Sequence, residues 1–112
     1  YTTPETLGID RKVLVSGAAL SYKNTSCLII DAGTCITYDF VLNDGSYLGG
    51  GISPGFQLRF RALHDYTAKL PLVTKVSETP LVGNSTVSCI ESGVINGMVA
   101  EIIGIINRYN EQ

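Results

Sequence analysis

The sequence predicts an α+β fold, an antiparallel three-stranded meander packed with helices. Three observations carry that expectation. "SCLIID" and "CITYDFVL" are runs rich in branched and aromatic residues, separated only by Ala32-Gly33-Thr34. Asn43-Asp44-Gly45 then supplies a hairpin turn into "SYLGGGI". Further on, Ile90, Val94, Ile95, Met98, Ile102, Ile105 and Ile106 recur close to the helical period.

The elements follow in order. Asp10 stands where an N-cap would open a helix over residues 11–21. Strands are expected over 26–31, 35–42 and 46–52, with Gly49 to Gly51 allowing close packing at a strand edge. Pro54-Gly55 punctuates the chain before a helix read from "FQLRFRALHDYTAK". Residues 70–84, with Pro71, Pro80 and Gly83, read as an exposed connection. The last helix starts near Ser85 or Thr86. Its Gly93, Gly97 and Gly104 each weaken it by about 1 kcal/mol relative to Ala, so they are expected to admit a close neighbour.

Composition narrows the function classes. With 112 residues and 45% hydrophobic content, the chain has enough material for one compact lobe. Ten acids against eight bases give a net charge of −2 with no basic run, which argues against nucleic acid and anionic membranes as main partners. No unbroken apolar run reaches the length of a membrane span, and no secretory signal is visible. Cys27, Cys35 and Cys89 are an odd number without a C-x-x-C, so they read as reduced core thiols of a cytoplasmic protein. The chain begins at Tyr1 with no initiator Met, which reads as a segment of something longer.

Two short stretches carry chemistry. In "IDAGT", Asp31 ends a strand that looks buried, where a carboxylate is costly unless paired, hydrogen-bonded or solvated. Gly33 lets a phosphate approach the backbone, and Thr34 adds a hydroxyl donor. Asp31 would repel that phosphate without a cation between them; the bland alternative is an ordinary tight hairpin. Neither G-x-x-x-x-G-K nor G-x-G-x-x-G occurs, so a nucleotide site here is of another kind. In "LGIDR", a carboxylate able to accept a hydroxyl proton adjoins an Arg able to grip a carboxylate, although a cap and a solvated Arg would look the same. Ser85 and Thr86 at a helix start serve either as caps or as hydroxyl and anion contacts. His64, without a neighbouring nucleophile pattern, reads as a helix-surface residue.

Taken in order, "YTTPETLGIDR", "IDAGTCITYD", "YLGGGISPGFQLRFRAL", "TAKLPLV" and "GNSTVSCIESGVINGMVAEI" closely resemble the type III pantothenate kinases. The resemblance covers almost the whole chain. It implies a ribonuclease-H-like lobe of a two-lobed, actin-like kinase that phosphorylates the terminal hydroxyl of pantothenate with ATP, the first step towards coenzyme A. It further implies Asp10 as catalytic base, Gly8, Ile9, Asp10 and Arg11 as the pantothenate-binding stretch, and Tyr1 and Thr86 as further pantothenate contacts. Asp31 is implied as ligand of a monovalent cation (potassium or ammonium), with Gly33 and Thr34 at ATP and magnesium accompanying the nucleotide. Cys35 stands where the family often has Ala, outside these contacts.

The family holds phosphates with two Asp-Gly hairpins, and the first, D-x-G-N-T, does not occur in this sequence. Residues 1–112 are therefore expected to form a single segment, the second lobe, with the N-terminal lobe and C-terminal end missing and no activity alone. A cytoplasmic homodimer is implied, with Thr86 reaching towards a neighbouring subunit. Two alternatives remain open: a non-catalytic accessory relative of the same fold, and a carbohydrate or acetate kinase of the superfamily. The catalytic residues present disfavour the first, and the spacing from Tyr1 to "GIDR" disfavours the second.

Overall fold

The structure is a computed structural model that describes residues 8–21, 24–76 and 79–111. The chain divides into two compact units, Tyr1–Ser53 and Pro54–Gln112. The α+β expectation holds, with three strands in the order β1-β2-β3 accompanied by helices.

The first unit opens with α1 (Ile9–Ser21), followed by β1 (Cys27–Ala32), β2 (Cys35–Val41) and β3 (Tyr47–Pro54), whose last residue begins the second unit. Lys12 N–H donates to Gly8 O at 3.1 Å, so Gly8 accepts the first helical bond and Asp10 is the second helical residue. The expected capping role of Asp10 is corrected accordingly. β1 and β2 are antiparallel, with Ile29 opposite Asp39 and Asp31 opposite Thr37. Side chains alternate along each strand, so Ile29, Asp31, Thr37 and Asp39 share one face. β2 is the central strand and carries buried residues on both faces: Ile36 and Tyr38 on one, Asp39 and Val41 on the other.

The Asn43-Asp44-Gly45 turn forms as expected. Gly45 takes φ +91°, Leu42 N–H donates to Ser46 O at 2.9 Å, and Ser46 N–H donates to Asp44 Oδ1 at 2.8 Å. That last bond holds the exposed Asp44 carboxyl below its ordinary value. The expected close packing is found at Gly50, where a Cβ would lie 1.7 Å from the Tyr38 carbonyl oxygen.

In the second unit, α2 (Phe56–Asp65) ends four residues before the expected Lys69. Thr67 Oγ1 donates to the Leu63 carbonyl, competing with continued helix. The long C-terminal helix consists of α3 (Thr86–Glu91), a π-helical turn (Ser92–Asn96) and α4 (Gly97–Asn110). The π turn is clasped at both ends: Ser92 Oγ donates to Leu81 O at 2.6 Å and Asn96 Nδ2 to Pro80 O at 3.2 Å. The core gathers Phe60, Val73, Ile90 and Val94, with Leu63, Leu70, Val76 and Ile95 packed against it. Each such burial contributes about 1.5–3 kcal/mol.

Several expectations need correction. The 70–84 connection is not simply exposed, because Val73 is buried in the core and a Cβ on Gly83 would meet Cys89 N at 2.5 Å. Gly93, Gly97 and Gly104 face open space rather than a close neighbour. Averaged over 18 residues, the helix Thr86–Asn110 is also long and apolar enough to cross a membrane, which counting unbroken apolar residues did not show. Length and composition do not make it a span: it carries a buried Glu91, and Glu101 is ion-paired to Arg59 at 2.6 Å. The cysteines are free, as expected, but Cys89 is exposed and Cys27 and Cys35 are only half-buried, so none is a core thiol.

Candidate active site

In the first unit the candidate site lies on the sheet face that carries Asp31, Thr37 and Asp39. Asp39 is fully buried, and its carboxylate is held from two directions. Arg11 Nε lies 3.1 Å from Oδ1 and 3.2 Å from Oδ2, and Arg11 Nη2 also donates to Oδ1. Tyr47 donates its hydroxyl to the same oxygen, and Arg11 Nη2 donates to the Tyr47 hydroxyl at 3.2 Å. A carboxylate stripped of water is tolerable only with such charge and hydrogen-bond compensation. Arg11 is itself only 12% exposed.

This network constrains the expected role of Arg11. The guanidinium edge formed by Nε and Nη2 is committed to Asp39, so that edge does not grip a substrate carboxylate in bidentate fashion. The pair seats the start of α1 on β2, and with it the "GIDR" stretch. Gly8 is exposed ahead of the helix. Tyr1 lies outside the described residues, as do the side chains of Ile9 and Asp10.

Asp31 is exposed near the end of β1, and β1 as a whole is half-buried. The expected strain of a charge on a buried strand is therefore relieved by water. Asp31 and Asp39 are diagonal neighbours on the shared face, which corresponds to a separation of about 7–8 Å. The Gly33 N–H donates to Cys35 O at 3.0 Å and closes the hairpin, leaving exposed Thr34 as the polar residue at its tip.

In the second unit, Ser85 takes the capping role: its hydroxyl accepts from Ser88 N–H at 3.1 Å while Ser88 Oγ accepts from Ser85 N–H at 2.9 Å. Thr86, the next residue, is exposed and lines an open groove of about 1150 Å³ with Leu63, Tyr66, Ser85, Cys89 and Ile90. His64 is exposed as expected, its Nδ1–H donating to Leu70 O at 2.8 Å.

Sequence reasoning missed Asp39, Tyr47 and Thr37. A signal for Asp39 was present, because an acid between Tyr38 and Phe40 in mid-strand needs a cation, and Arg11 is one of only four arginines. Tyr47 and Thr37 gave no such signal.

The sequence model for the family described as type III pantothenate kinase matches residues 1–108. The chain belongs to that family. It is 54% identical over 109 residues to a type III pantothenate kinase of Flavobacterium johnsoniae, covering 97% of this chain and 45% of the relative. To those of Christiangramia forsetii and Phocaeicola vulgatus it is 53% and 50% identical, covering 100% and 99% of this chain and 46% of each relative. The chain thus spans about half the length of the curated relatives it matches.

The cation that the type III pantothenate kinase resemblance implies can be tested against the donors present. The Thr37 hydroxyl oxygen is buried without a hydrogen-bond partner among the described residues, directly across the ladder from Asp31. A carboxylate beside an unsatisfied hydroxyl suits a hard, oxygen-preferring cation. Among the described residues no three His, Cys, Asp or Glu side chains gather as a metal cage.

Proposed function

We propose that this chain supplies part of the active site of an enzyme that transfers the γ-phosphoryl group of ATP to pantothenate, giving 4′-phosphopantothenate for coenzyme A synthesis. Membership of the family supports the reading. The observation that carries it is the single sheet face bearing Asp31, Thr37 and Asp39, with the start of α1 seated on it through Arg11.

In this reading Asp10 accepts the proton of the pantothenate primary hydroxyl as its oxygen attacks the γ-phosphorus and the bond to ADP breaks. Gly8 to Arg11 form the pantothenate-binding turn, and Tyr1 and Thr86 add contacts to the same substrate. Thr34, with Gly33 at the hairpin tip, meets the phosphates. Asp31 and Thr37 offer oxygen donors to potassium or ammonium, which together with magnesium offsets phosphate charge. The three free cysteines accord with a cytoplasmic protein. A homodimer is supported by α4, where Val99 and Ile103 are 48% and 54% exposed beside glycines facing open space.

The test is a kinase assay on the full-length protein with pantothenate, glucose and acetate side by side. Phosphorylation of pantothenate alone is expected. Turnover of glucose or acetate with none of pantothenate would overturn the substrate assignment.

A further inference from the structure

We propose that Asp39 is a positioning residue for phosphoryl transfer, acting through Arg11 to fix the helix start that carries the base. The proposal rests on the kinase reading above and adds to it a residue whose effect passes through its neighbour.

Asp39 is 0% exposed and receives donors from α1 and from β3, through Arg11 and Tyr47. The guanidinium is a planar fork with fixed donor directions, so sharing Nε and Nη2 with one carboxylate restricts Arg11 to a narrow range of positions. Arg11 follows Asp10 directly in the first turn of α1. The first turn of a helix lacks intrahelical partners for its leading N–H groups and is prone to fray. Elsewhere α1 is lightly held, with Val13 65% and Leu20 73% exposed. The buried pair is thus the polar fastening of the helix at the end where the chemistry needs it.

The strand that supplies the fastening is also informative. β2 leaves the Gly33-Thr34 hairpin at Cys35 and reaches Thr37, opposite Asp31, two residues before Asp39. One rigid strand therefore sets the register between the phosphate hairpin and the helix bearing the base. Misplacement of a reacting group by about 1 Å costs about 10²-fold in rate. A carboxylate serving only the stability of the sheet would not show up in that register.

The experiment is a double-mutant cycle in the full-length enzyme, reading kcat and KM for both substrates. Asp39→Asn is expected to lower kcat/KM for pantothenate by about 10–100-fold while KM for ATP stays within about twofold. In an Arg11→Gln background the same change should cost less than about twofold more, because its route of action is already gone. Effects that multiply across the two backgrounds overturn the proposal. Tyr47→Phe removes one donor and leaves the ion pair. It should lower kcat/KM for pantothenate by about 2–5-fold, again with no further loss on Arg11→Gln. If Asp39→Asn does not fold, this second cycle decides by the same criterion.

A readout independent of pantothenate separates this proposal from the kinase reading. Amide exchange in residues 9–15 should quicken about tenfold or more in Tyr47→Phe and in any folded Asp39→Asn, with residues 97–110 unchanged. Unchanged exchange in 9–15 overturns the positioning role whatever the substrate proves to be.

Discussion

The two units differ in how they hold their ion pairs. Tyr1–Ser53 buries a charge, the Asp39 carboxylate held by Arg11 and Tyr47 at the foot of α1. Pro54–Gln112 gathers Phe60, Val73, Ile90 and Val94 into a core beside a buried Glu91, and sets its Arg59–Glu101 pair at 20% and 28% exposure. A buried ion pair adds little net stability over apolar packing but is severe to break, and its geometry is directional. An apolar core is non-directional and tolerant of small shifts. The unit that carries Asp10 and the Gly33-Thr34 hairpin uses the directional device. The unit that offers Thr86 at an open groove relies on apolar packing and a capping box.

The sharpest break of this contrast is chemical. Asp10→Asn in the full-length enzyme should lower kcat by about 10²–10⁴-fold while ATP binding stays nearly intact. Steady-state turnover and an ATP titration read both, and turnover within about threefold of the parent would return Asp10 to a structural role.

Next come the two cores. Phe60→Ala should cost about 3–5 kcal/mol of unfolding free energy through the cavity it leaves. Asp39→Ala should cost about 3–5 kcal/mol by removing one partner of a buried ion pair. Denaturant unfolding of the full-length protein measures each. A loss under about 1 kcal/mol for Asp39→Ala would show that water reaches Arg11.

Much of the fold was legible in the sequence because its signals are local. Branched runs and the Asn43-Asp44-Gly45 turn placed all three strands to within two residues at each end, and the helical stripe found the C-terminal helix. The π turn was not legible, since it depends on Ser92 and Asn96 reaching the carbonyls of Leu81 and Pro80, a tertiary circumstance. For the same reason the Arg11–Asp39 pair was not legible: its partners lie 28 residues apart, on a helix and a strand whose register no local pattern announces. The roles proposed for Asp10, Asp31 and Thr86 rest on ordered motifs, whereas the Asp39–Tyr47 contact depends on β2, β3 and α1 being in place.

Smaller effects sharpen the comparison further. Gly83→Ala should destabilise by about 1–3 kcal/mol, because its Cβ would press on the backbone of Cys89. Gly97→Ala should instead stabilise by about 0.5–1 kcal/mol, since its Cβ meets open space in a helix. Destabilisation of the full-length protein by Gly97→Ala would reveal a partner element or second subunit on that face.

The smallest effect is acid sensitivity of the β2–β3 turn. Ser46 lowers the Asp44 pKa from its ordinary value of 3.8. The contribution of Asp44 is therefore fully present above that value and is lost as pH falls below it through the lower folded value. Asp44→Asn should remove this dependence in an acid titration followed by hairpin amide signals, with no change at pH 7 beyond loss of the carboxylate's stronger acceptor.

We propose above all that Asp31 and Thr37, on this sheet face, serve ATP and its accompanying cation, while Asp39 fastens α1. The most direct test is ATP affinity of the full-length protein and of Asp31→Ala, titrated in potassium and in sodium at constant ionic strength with magnesium present. Tighter ATP binding in potassium is expected for the parent, with both the preference and most of the affinity lost in Asp31→Ala. Equal affinity in both salts, unchanged by Asp31→Ala, would contradict it.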